Sequence, residues 1–168
     1  MHKIYVLFVL LILLSSCNPT KPSTNNPPIS YNSRIGDKVW LDSNADGIKQ
    51  KPESGFANIK LNLYEDKNND GQPDAGIIKS TMTDTGGYYQ FRELNPNINY
   101  LVEVVAPQGY EFSKKHNQQA KTKDYDSDIN PETAFSDSIS LEENRYFYWI
   151  DAALKEKKTN NDLLSSVG

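Results

Sequence analysis

Between Ile35 and Leu154, apolar and polar residues alternate in short runs broken by Gly, Pro, Asn and Asp. A period of two of this kind predicts half-buried strands. Ile35–Leu41 reads as a first strand, and Ile59, Leu61 and Leu63 put one face of a second into a core. Ile77–Thr83 reads as a third, ending at the turn Asp84-Thr85-Gly86-Gly87. Tyr88–Phe91 is a fourth, with Tyr89 and Phe91 on one face and Tyr88 on the other. Tyr100, Val102 and Val104 share one face of a fifth, Leu101, Glu103 and Val105 take the other, and Pro107-Gln108-Gly109-Tyr110 turns the chain away. Phe135–Leu141 and Arg145–Leu154 complete about seven strands, with Glu142-Glu143-Asn144 as the expected hairpin turn between the last two. Short strands, turn-rich joints and no long amphipathic helix predict an all-β sandwich.

The alternation stops at both ends. Lys3 precedes an apolar run of 11 residues, Ile4–Leu14, too short for an ordinary spanning helix and fitting the h-region of a signal peptide. Leu14-Ser15-Ser16-Cys17 resembles the bacterial lipobox, in which cleavage precedes a Cys whose thiol carries lipid. Residues 1–16 are therefore expected to be a lipoprotein signal, with Cys17 lipidated and anchored in a membrane; the alternative is an ordinary secretory signal with an incidental Cys. Residues 17–33, rich in Pro, Asn, Ser and Thr, read as a disordered tether to a domain spanning 34–154, and 155–168 as a flexible tail. The expected place is the bacterial envelope, at the outer membrane or cell surface. With one Cys there is no disulfide framework to stabilise an exported domain, and a bound metal could take that part.

Charge adds little by its total, 22 acids against 18 bases, and more by its distribution. The acids gather in Asp/Asn segments, and no Lys/Arg stripe is interleaved with aromatics, which argues against a nucleic-acid partner. The ten tyrosines suit strands whose rings pack at one end and meet water at the other.

Two of the joints carry the candidate chemistry. Asp42-Ser43-Asn44-Ala45-Asp46-Gly47-Ile48 runs on to Glu53, and Asp66-Lys67-Asn68-Asn69-Asp70-Gly71-Gln72 runs on to Asp74. Each places oxygen donors at positions 1, 3 and 5 with Gly at 6, the spacing by which a chain turns around a calcium ion. In the first loop the candidate ligands are Asp42, Asn44, Asp46, the carbonyl of Ile48 and Glu53 at position 12. In the second they are Asp66, Asn68, Asp70, the carbonyl of Gln72 and Asp74, while Ile77 occupies position 12 and the usual bidentate Glu is missing. Flanking strands stand where an EF-hand has helices. Such oxygen sets favour Ca2+ over the smaller Mg2+. Without a cation the carboxylates repel, so calcium removal is expected to loosen both loops. The alternative is a pair of solvated Asn/Asp turns.

The ordered combination resembles the SdrD B-like (serine-aspartate repeat B) domains of bacterial surface adhesins, relatives of the collagen-adhesin B-type module. It rests on Ile35-Gly36-Asp37-Lys38-Val39-Trp40-Leu41-Asp42, Gly55, Thr83-Asp84 with Gly87, Tyr89, Phe91 and Leu94, Tyr100 with Val102, and Pro107 with Gly109-Tyr110. Asp124-Tyr125-Asp126-Ser127-Asp128 and Ile150-Asp151-Ala152 complete it. The resemblance implies an immunoglobulin-like or prealbumin-like sandwich with bound calcium, acting as a rigid spacer or stalk. It makes Asp126 and Asp128, with Asp124, candidates to complete a calcium site from a distant part of the chain. It also offers Asp84 to the second loop, and it sets Gln50 where the family carries an acid.

Related adhesin modules join a first-strand Lys to a last-strand Asn or Asp with an acid's help, which points to Lys38, Asp151 and Glu103; the alternative is a surface Lys and two unrelated acids. His116, the one histidine after the expected cleavage, reads as an exposed loop residue, with little support for zinc or a catalytic triad. Three functions stay open: a calcium-stabilised, non-catalytic structural or adhesive module, a module binding an extracellular protein or glycan, and a hydrolase or its accessory. Trp40 and Trp149 suit either a core or a recognition face.

Overall fold

The computed structural model describes residues 31–117, 119–120 and 125–158 of the 168-residue chain. The expected leader with Cys17, the tether as far as residue 30, Asp124 and the tail beyond 158 lie outside the described residues. Nine strands follow one another among the described residues: β1 (Ser33–Leu41), β2 (Lys60–Glu65), β3 (Lys79–Met82), β4 (Tyr88–Leu94), β5 (Asn99–Val105), β6 (Tyr110–Phe112), β7 (Ile139–Ser140), β8 (Tyr146–Phe147) and β9 (Ala152–Glu156). No α-helix occurs among the described residues. The strands form two sheets, β4-β1-β9-β6 with β8 beside β1, and β3-β2-β5-β7.

The alternation places the core as expected. Ile35 and Val39 of β1 and Tyr89 and Phe91 of β4 meet Leu61 and Leu63 of β2 and Tyr100, Val102 and Val104 of β5, all buried in one cluster between the sheets. Each such side chain, fully buried, stabilises the fold by about 1.5–3 kcal/mol. The Tyr89 hydroxyl, deep in this layer, donates to the Ile150 carbonyl at 2.7 Å.

Several elements differ from their sequence-based outlines. The expected single strand Arg145–Leu154 is two, because the aromatic run Tyr146–Trp149 has no period to mark a break. Both halves lie parallel to the same edge of β1: β8 beside Arg34 and Ile35, β9 beside Val39, Trp40 and Leu41. In the gap, the Asp151 carboxylate accepts the Lys38 amide at 3.0 Å, standing in for a strand carbonyl. Of Phe135–Leu141, Ile139–Ser140 alone joins the ladder, while Phe135 makes an isolated bridge to Glu103. Glu142–Asn144 is a turn but not a hairpin, since β7 belongs to one sheet and β8 to the other. Tyr110–Phe112 is a short strand that the turn signal at Pro107 concealed, and it pairs with β9 through Glu156, beyond the expected domain end. The third strand is confined to Lys79–Met82, with Ile77 and Ile78 exposed in the preceding loop.

Candidate functional site

The first acidic loop leaves the end of β1 with Asp42 buried at its root. Asp42 Oδ2 accepts the Gly47 amide at 2.7 Å and Oδ1 the Asp46 amide at 3.3 Å. Asn44 Oδ1 accepts the same Asp46 amide at 3.2 Å, and Asp46 Oδ1 accepts the Ile48 amide at 2.8 Å. Glu53 closes the loop from position 12, its two oxygens accepting the Ser43 amide at 3.0 Å and the Gln50 amide at 2.9 Å. Partial burial raises the Glu53 pKa despite those two amides, and the charges of Asp42 and Asp46 add to the rise. Gln50 donates its side-chain amide to Asp46.

The second loop, between β2 and β3, repeats this geometry. Asp66, fully buried, accepts the Asp70 amide at 3.0 Å and the Gly71 amide at 3.1 Å. Asn68 accepts from Asp70 at 3.3 Å, and Asp70 from Gln72 at 2.9 Å. The backbone repeats too: φ is 62° at Ala45 and 57° at Asn69, then 75° at Gly47 and 78° at Gly71. Left-handed φ at the sixth position is the reason a glycine stands there. With no acid at position 12, Asp74 takes over part of the closing role by accepting the Lys67 amide.

The donor sets of both loops suit a hard cation. An ionised carboxylate has about four lone-pair positions. The two backbone amides on Asp42, and the two on Asp66, leave further oxygen sites on each for an ion. The first loop has the fuller set because Glu53 is in place.

Other candidates are rearranged. Asp84 does not complete the second loop: the pairing Leu63↔Lys79 and Lys60↔Met82 puts that loop and Asp84 at opposite ends of β3. Asp84 instead caps its own turn, accepting the Gly86 amide at 2.8 Å and the Tyr88 amide at 2.9 Å. The Asp126 backbone does lie against the first loop, bridged to Ile48, while the neighbouring Tyr125 carbonyl accepts the Lys49 amide at 2.8 Å. The carboxylates of Asp126 and Asp128, however, gather with the His116 ring, their ligand atoms all within 4.8 Å of one another. His116 is exposed as expected, but its ring is engaged on both sides, which no sequence spacing indicated.

The combination Lys38, Asp151 and Glu103 is not assembled. Lys38 lies on the outer face of its sheet with Nζ 4.8 Å from the centre of the Tyr88 ring, whereas Glu103 lies on the outer face of the opposite sheet. There Glu103 accepts from Asn62 at 2.7 Å and from the Tyr64 hydroxyl at 2.8 Å. Burial first, and then Glu103, push the Tyr64 pKa up to about 12. Among the described residues, the lysine paired with Asp151 is Lys49, its Nζ at 3.9 Å from Oδ2. Burial, with the Asp37 charge second, raises Asp151 to about 8, and Lys49 acts against that rise. Trp40 is fully buried, with Lys49 Nζ 5.9 Å from its ring centre. Trp149 is not a core residue: half-buried, it meets Tyr148 edge-on at 4.2 Å between ring centres.

The fold is a two-sheet all-β sandwich with two matching acidic loops and no α-helix among the described residues. The chain belongs to the SdrD B-like domain family, whose model matches residues 33–154. It is 33% identical over 114 residues to serine-aspartate repeat-containing protein F of Staphylococcus epidermidis, covering 67% of this chain and 6% of that one. It is 40% identical over 90 residues to the bone sialoprotein-binding protein of Staphylococcus aureus, covering 54% and 7%. Among solved structures, the shaft pilin SpaA of Lactobacillus rhamnosus GG is similar at 11% identity and a TM-score of 0.48, over 78% of this chain and 53% of the pilin. The chain thus corresponds to a small part of those staphylococcal relatives.

Proposed function

We propose that this chain is a calcium-stabilised, non-catalytic module with a structural or adhesive role at a bacterial surface, held to the membrane through a lipid on Cys17. The observation that carries the reading is the repetition of one loop geometry at two places. In each, a buried Asp at position 1 binds the fifth and sixth amides and leaves further lone-pair positions on its carboxylate. Calcium bound there would offset the repulsion among Asp42, Asp46 and Glu53 and stiffen the end of the sandwich. No chemical turnover is required of it. Family membership and the adhesin-type relatives support the structural or adhesive role.

The test is a calorimetric calcium titration of the full chain with melts in calcium and in chelator. Saturable binding with a higher melting temperature is expected; absence of both would reduce the loops to solvated turns. The lipid is tested by mass spectrometry of the mature chain expressed in bacteria, which should show an acylated N-terminal Cys17.

A glycan-binding role is the second reading, favoured by the adjacent exposed rings of Tyr146 and Tyr148 in a cleft of about 350 Å3 that also holds Glu142, Asn144 and Arg145. Sugars stack on such rings while neighbouring polar groups take their hydroxyls. Glycan-array binding lost in Tyr148→Ala is its expected signature.

A further inference from the structure

We propose that His116, Asp126 and Asp128 form a separate site for a divalent transition metal of the zinc class, apart from the two acidic loops. The inference goes beyond the calcium reading and uses different side chains from those loops.

His116 Nδ1 lies 3.3 Å from Asp126 Oδ2 and 3.6 Å from Asp128 Oδ1. An ion with bonds of roughly 2.0–2.2 Å to imidazole and carboxylate, in tetrahedral geometry, sets ligand atoms about 3.4 Å apart. The two edges from His116 bracket that value, and all three ligand atoms lie within 4.8 Å of one another. A nitrogen donor with two carboxylates is a poor set for calcium, which takes six or more oxygens, and a good one for zinc and its neighbours. The other ring nitrogen, Nε2, faces Asp137 Oδ2 at 3.4 Å, the carboxylate–histidine arrangement that orients a metal-binding imidazole and turns the lone pair of the opposite nitrogen inward. Lys115 holds Asp137 from its other oxygen.

The donors are also fixed in place. The His116 amide donates to the Ser127 carbonyl at 2.9 Å, and Asp126 is bridged to Ile48. The remaining oxygen of Asp128, Oδ2, accepts the Asp151 amide at 2.8 Å. The two carboxylates are nearly buried while the imidazole is half exposed, which leaves an ion an open side to enter and room for water as a further ligand.

The experiment is titration of the metal-stripped full chain with Co2+, followed by displacement with Zn2+, in excess Ca2+. One equivalent of Co2+ bound, displaced by Zn2+ and lost in His116→Gln, is the expected result; that variant separates the site from any thiol or imidazole elsewhere in the chain. Asp137→Asn should keep the stoichiometry and weaken affinity by about 10–100-fold. A purely structural Asp137 would lower the melting temperature and leave affinity unchanged. Absence of saturable Co2+ binding, or equal binding by His116→Gln, overturns the proposal and reduces the cluster to an imidazole paired with acids. Calcium binding is measured separately on Asp46→Asn, which should leave the Co2+ site intact, so the two readings fail independently.

Discussion

In both acidic loops the first Asp holds the fifth and sixth amides, and in both the fourth and sixth residues turn through left-handed backbone. What surrounds the turn differs. The first is closed by Glu53 and braced from a distant segment: Asn117 donates to the Asp46 carbonyl at 2.7 Å, Ile48 is bridged to Asp126, and the Lys114 carbonyl sits against Gly47. The second projects into solvent from residues 67 to 78, with Asn99 reaching the Asn69 side chain at 3.3 Å. Local sequence is enough to shape the turn; the rest of the fold decides how firmly it is held.

Paired glycine variants separate those two contributions most sharply. An added Cβ at Gly47 would stand 2.4 Å from the Lys114 carbonyl oxygen, whereas at Gly71 it would meet nothing within 4 Å. Gly71→Ala should therefore show the left-handed backbone cost alone, about 1–2 kcal/mol. Gly47→Ala adds a backbone clash and should lose about 3 kcal/mol or more. Chemical denaturation in chelator measures both, and equal losses would break the distinction.

Calcium should follow the same order. At free calcium near 100 times its Kd, an occupied site adds about 2.7 kcal/mol of stability. Asp46→Asn is expected to remove most of the calcium-dependent rise in melting temperature, and Asp70→Asn a smaller part. A reversed ranking would mean that Glu53 and the bracing segment contribute less than the exposed loop.

Acidity gives a smaller effect with a definite sign. Burial lifts the Asp151 pKa from 3.8 to about 8 in the folded chain, with the Asp37 charge as second cause, and burial lifts Asp128 to about 7. A carboxyl whose folded pKa is raised binds its proton more tightly in the folded state, so stability is fullest at low pH and is lost as pH rises through the folded value. In chelator, the contribution of these groups should fall between about pH 4 and about pH 8. Melts across that range should show a flatter decline in Asp151→Asn, which keeps an oxygen for the Lys38 amide.

The side-chain braces should show the smallest difference. Asn117→Ala is expected to cost about 1 kcal/mol, and Asn99→Ala within about 0.5 kcal/mol.

Much of this could be read without coordinates, and the failures have physical reasons. Leu61, Leu63, Tyr100, Val102 and Val104 alternate so regularly that their face was legible, and Asp-x-Asn-x-Asp-Gly specifies its own turn. Asp84 was misplaced because its position depends on the antiparallel return of β3, a tertiary fact that spacing does not carry. Tyr146–Trp149 concealed the division between β8 and β9, since a continuous aromatic run has no period. His116 joins Asp126 and Asp128 through a backbone bond to Ser127, and nothing in its neighbouring residues announces that contact.

The parallel placement of β8 and β9 along one edge of β1 has a mechanical consequence. Ser33 opens β1 and Glu156 closes β9, on neighbouring strands that run the same way. Tension applied between those residues acts along the strands and across the bonds joining them. It loads Arg34 N to Arg145 O at 2.9 Å, Lys38 N to Asp151 Oδ1 at 3.0 Å and Asp42 N to Leu154 O at 2.8 Å together, in shear. A hairpin pulled at its open end would instead unzip bond by bond. Drawn from its two ends, this sandwich would yield by sliding one strand past another, with a side-chain carboxylate as the middle rung.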